Sequence, residues 1–117
     1  MHSESFEDRL YDIRDNNMYA QGLLSGLAYE DFKASRTHFY AATRALEIIS
    51  EASRRLPDEV RARHRHLPWR AIMDSGNVYR HSYDNVAESR VGDTVHLHLP
   101  SLLTAVLAEI QALDSNT

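Results

Sequence analysis

Cysteine is absent from all 117 residues, which excludes disulfides, thiolate metal sites and cysteine nucleophiles and suits a reducing compartment. Four glycines and three prolines leave few places where a helix must break. No apolar run approaches the roughly 20 residues that span a bilayer, so a membrane role is not expected. Met1 to Leu10 carries Glu4, Glu7 and Asp8 where a signal peptide would need a basic start and an apolar block, and the expected location is the cytoplasm. An overall basic excess is also missing: 13 basic against 17 acidic side chains give a net charge of −4, the wrong sign for a generic nucleic-acid coat.

What is present is helical patterning. Phe6, Leu10, Ile13, Asn17, Ala20, Leu24 and Leu27 recur at alternating spacings of four and three, the stripe of an amphipathic helix that only Asn17 interrupts. Phe39, Ala42, Leu46, Ile49, Ser53 and Leu56 make a second stripe, ended by Pro57. Asp58 is expected to cap a short basic stretch through His66, and Pro68 to open a third helix. Leu99, Leu102, Leu103, Val106, Leu107, Ile110 and Leu113 form the clearest stripe, with Pro100 either starting that helix or kinking an extension from Asp93. No strand alternation competes. The expected fold class is all-α, an antiparallel four-helix bundle with short accessory helices, built as one domain over residues 1–117.

The charges are unevenly placed. Residues 1–53 carry five basic and nine acidic side chains, residues 54–81 seven and three, and residues 82–117 one and five. The basic middle contains Arg61, Arg63, Arg65 and Arg70, candidate contacts for nucleic-acid phosphate, although a solvated arginine-rich face has the same pattern. Within it, PWRAIMDSGNVYRHSYDNV, from Pro68 to Val86, concentrates an amide, an arginine, a histidine and a tyrosine between Asn77 and Tyr83. On a helix Asn77 shares a face with His81 and neighbours Arg80. His81 can exchange protons near neutral pH, and the planar fork of Arg80 can hold a phosphate while its charge builds up. With RNA the substrate's own 2′-hydroxyl can attack, so the scheme needs no metal or cofactor. His64 with His66, and His96 with His98, stand two apart, on nearly opposite sides of a helix, and are not expected to hold a metal; Trp69, Ile72 and Met73 read as core packing.

GNVYRHSY resembles the signature of the HepT-like family of HEPN-domain proteins, in which arginine, four residues, histidine, one residue and tyrosine form the motif. His81-Ser82-Tyr83 matches its end, Asn77 matches the amide that often follows the arginine, and WRAI from Trp69 resembles the lead-in. DRLYDIRDN, TRALEIISEASRRLP and LPSLL resemble other family segments in the same order. The resemblance implies a HEPN-type bundle and a metal-independent ribonuclease. It further implies the toxin of a type VII toxin–antitoxin pair, a homodimer with facing motifs. The implied partner is a minimal nucleotidyltransferase antitoxin of the MntA type, which transfers AMP to the motif tyrosine, here Tyr83.

One position departs from that pattern. Five residues before His81, where the family motif puts arginine, stands Gly76. Either Arg80 takes the missing role, with His81 as acid–base and Asn77 as orienting partner, or the chain is a non-catalytic module that binds a nucleotide or a partner.

Overall fold

The computed structural model describes residues 6–76 and 85–115, without the side chains of residues 85–87. Seven helices occupy the described residues: α1 Phe6–Leu24, α2 Tyr29–Ala34, α3 Arg36–Arg54, α4 Asp58–Ala62, α5 Trp69–Asp74, α6 Asn85–Leu97 and α7 Leu99–Ser115. The fold is all-α, with α1 packed between α3 and α7 and the shorter helices around them. No described helix is long and apolar enough to cross a membrane.

The stripes become the core. Leu10, Ile13, Leu46, Ile49, Leu99 and Leu102 are each at most 1% exposed, and hiding one such side chain contributes about 1.5–3 kcal/mol. Asn17, the polar interruption in the α1 stripe, is fully buried with them. Its amide donates to the Leu99 carbonyl at 2.9 Å, and its side-chain oxygen accepts from Gln21 at 2.6 Å, so the buried polar group is satisfied. This bond ties α1 to the junction of α6 and α7, beside Pro100.

Helix ends follow local chemistry. α1 stops at Leu24 rather than Leu27, because Gly26 takes φ +73°, a left-handed conformation that ends helices and favours glycine. Ser35 caps α3: its hydroxyl oxygen accepts from the His38 N–H at 3.2 Å and lies 2.7 Å from the His38 ring Nδ1. At the other end of α3, Arg61 Nη1 donates to the Ser53 and Leu56 carbonyls at 2.9 and 2.7 Å. A cation there also suits the negative pole of the helix.

Two local expectations are corrected. Asp58 is the first residue of α4 rather than its cap; Pro57 holds the cap position, and the Asp58 carboxylate pairs with Arg61. Pro68 precedes α5 as its N-cap residue instead of lying in its first turn. α2 carries no stripe long enough to be recognised, yet it buries Phe32. Pro100 is the second residue of α7, and the chain before it is already helical from Asn85, well beyond Asp93.

Candidate functional site

The described residues bring the chain up to the motif and resume after it. Asn77, Arg80, His81 and Tyr83 lie outside them. α5 leads into the motif, and its packing is set by α3 and by the turn after α4. Trp69, half-buried against the core, donates from its ring N–H to the carbonyls of Arg61 at 3.1 Å and His64 at 3.0 Å. Ile72 is buried. The Met73 carbonyl accepts from the Ser50 hydroxyl and from Arg54 Nη2, the latter at 2.6 Å. The Ser75 hydroxyl turns back to the Ile72 carbonyl at 2.7 Å.

Gly76 closes this lead-in against α3. A Cβ there would stand 2.9 Å from Ser50 Cβ, 3.0 Å from Ser50 Oγ and 3.2 Å from Glu47 Cα. Its φ is not positive, so space rather than backbone freedom makes glycine necessary. Gly26 is the converse, with open space around it and a backbone that demands glycine. The position where the family motif puts arginine is therefore occupied, in this chain, by the face of α3.

The four candidate RNA-binding arginines are not equivalent. Arg65 and Arg70 are exposed and make no ion pair or hydrogen bond among the described residues. Arg61 is turned inward onto the end of α3. Arg63 is half-exposed and forms a forked pair with Glu109 of α7, at 2.6 and 3.1 Å. His64 Nε2 lies 2.7 Å from the same carboxylate. The Arg63 hydrogen bond is the main reason the Glu109 carboxyl is held below its usual range; burial opposes it and His64 assists. The same bond pushes the Arg63 guanidinium further up. This cluster pins the turn after α4 to α7.

Among the described residues, no group of three or more His, Asp or Glu side chains is arranged to hold a metal. Sequence reading missed the roles of Ser50 and Arg54. The available signal was that Glu47, Ser50 and Arg54 share one helical face, but nothing in the sequence says what covers it.

The chain is similar to several proteins that carry ribonuclease names. A protein of Thermococcus cleftensis named "Probable ribonuclease HepT" is 32% identical over 98 residues, covering 84% of this chain and 89% of its own. A Methanocaldococcus jannaschii protein named "Putative RNase" is 25% identical over 111 residues, 92% of each chain. A Caldanaerobacter subterraneus protein with the same description is 33% identical over 79 residues, covering 68% of this chain and 70% of its own. No solved structure gives a significant match. The family described as ribonuclease HepT-like matches residues 13–108, from within α1 to within α7, and the chain belongs to the HepT-like family.

Proposed function

We propose that this chain is a metal-independent RNA endonuclease. The observation that carries this reading is the family match over residues 13–108, which encloses His81-Ser82-Tyr83. His81 takes the proton of the RNA 2′-hydroxyl, that oxygen attacks the adjacent phosphorus, the bond from phosphorus to the 5′-oxygen breaks, and the protonated His81 returns the proton to the leaving 5′-oxygen. The products are a 2′,3′-cyclic phosphate and a free 5′-hydroxyl. Arg80 stabilises the phosphate charge and Asn77 orients the histidine. Arg65 and Arg70 offer exposed cations to the RNA backbone, and Arg63 offers a half-exposed one. Arg61 supports them from below, by holding the end of α3.

In the same reading residues 1–117 act as one unit, a second copy supplies the opposite wall of the cleft, and the protein is a toxin of the type VII class. A cognate MntA-type nucleotidyltransferase silences it by transferring AMP from ATP to the Tyr83 hydroxyl, releasing pyrophosphate. The added phosphodiester brings negative charge and bulk to a site that binds RNA phosphate.

The test is cleavage of RNA and of an all-deoxy substrate in EDTA, by wild type and His81→Ala. RNA alone is expected to be cut, leaving cyclic phosphate ends, and His81→Ala is expected to lose about 10²–10⁴-fold in rate. Loss of activity in EDTA with recovery in Mg²⁺ would overturn the mechanism. The crowding at Gly76 favours one alternative, a non-catalytic module that binds a nucleotide or a partner without cleavage. Binding of a nucleotide or of the nucleotidyltransferase with no RNA cleavage, unchanged by His81→Ala, would establish it.

A further inference from the structure

α5 has only six residues, too few to persist as an isolated helix, and Ile72 is its one fully buried side chain. Its C-terminal end is held by polar contacts from α3. Carbonyls in the last turn of a helix need partners from outside it, and the Met73 carbonyl receives two, from the Ser50 hydroxyl and Arg54 Nη2. Arg54 is steadied in turn, because its Nη1 donates to Glu51 at 3.0 Å. Ser50, 1% exposed, also meets the closely approaching Gly76. Two neighbouring points of the chain, Met73 and Gly76, are thus fixed to one face of α3. His81 follows Gly76 by five residues.

We propose that Ser50 and Arg54 are positioning residues of the ribonuclease, forming a latch that sets where the chain departs from α5 toward His81. The inference rests on the ribonuclease reading. A latch of this kind acts on turnover rather than on RNA affinity, because it sets the aim of the reacting groups, while the exposed cation of Arg65 lies outside α5 and is left untouched. Misplacement of reacting groups by about 1 Å can cost on the order of a hundredfold in rate.

The experiment compares wild type, Arg54→Ala, Arg54→Lys and Ser50→Ala in RNA cleavage and in amide hydrogen exchange. Arg54→Ala is expected to lower kcat by about ten- to a hundredfold with KM within twofold. Exchange is expected to quicken across Trp69–Asp74 and to remain at the wild-type rate across Leu99–Ser115. Arg54→Lys keeps a donor within reach of the Met73 carbonyl and is expected to recover part of both losses, and Ser50→Ala to move in the same direction as Arg54→Ala. A raised KM at unchanged kcat would overturn the proposal, by making Arg54 a direct RNA contact. Faster exchange in both helices alike, or no change in either readout, would also overturn it. If wild type cuts no RNA the ribonuclease reading fails, and the exchange comparison between the two helices alone decides whether the latch exists.

Discussion

The α1–α3–α7 core and the α3–α5 edge are held together by different forces, although α3 belongs to both. In the core, Leu10, Ile13, Leu46, Ile49, Leu99 and Leu102 are essentially removed from water, and adhesion scales with apolar area. At the edge, a six-residue helix that fully buries only Ile72 is held at its C-terminal end by two hydrogen bonds onto one carbonyl and by a glycine that lets two backbones approach. Apolar packing tolerates small shifts, since it has no direction. Hydrogen bonds and close backbone approach do not, and in this molecule they lie next to the segment that bears the motif.

Leu46→Ala should break the core and spare the edge, with the largest loss of stability of the variants considered. Burial of Leu46 puts the expected cost at about 2–5 kcal/mol, read as a lower urea midpoint at unchanged slope. Below the unfolding transition, kcat on RNA should stay within about twofold of wild type if core and edge are separable; a much larger fall would show that they are not.

Asn17→Ala tests the polar tie inside the core. It removes the donor to the Leu99 carbonyl and leaves a buried polar group short of a partner, at an expected cost of about 1–3 kcal/mol. Thermal unfolding followed by circular dichroism measures it, and an unchanged Tm would mean that the Leu99 carbonyl is satisfied without Asn17.

Gly76→Arg restores the arginine of the family motif in sequence but places its Cβ against Ser50 and the backbone of Glu47. Overpacking of this kind costs about 1–3 kcal/mol, and RNA cleavage is expected to fall rather than rise. A gain in cleavage would show that α5 can move off α3 to admit the side chain, and would sharpen the contrast in favour of a loose edge.

Glu109→Gln should have the smallest effect, about 1 kcal/mol or less, because the Arg63 partner is half-exposed. Its pH dependence is the informative part. The Glu109 carboxyl is held below its ordinary value of 4.5 by the Arg63 hydrogen bond, so its contribution is complete above that value and is lost as pH falls through the lower folded value. The stability gap between wild type and Glu109→Gln should therefore shrink below about pH 4.5. A gap that stays open in acid would assign the effect to packing.

The amino-acid sequence by itself determined the all-α class, the stripes of α1, α3 and α7 and the family signature from Gly76 to Tyr83, because each is a local pattern whose period or order needs no knowledge of neighbours. It marked Asn17 and Gly76 as departures without explaining either. Tertiary structure alone decided that Asn17 reaches a carbonyl 82 residues away, that Ser50 and Arg54 hold Met73 across 23 and 19 residues, and that Gly76 lies where α3 leaves no room for a side chain. It also separated Arg61, turned onto the end of α3, from exposed Arg65 and Arg70, which the same basic run presents alike. The division has one physical cause: hydrophobic periodicity states which face of a helix is buried, whereas directional bonds and steric limits depend on what the rest of the chain brings against that face.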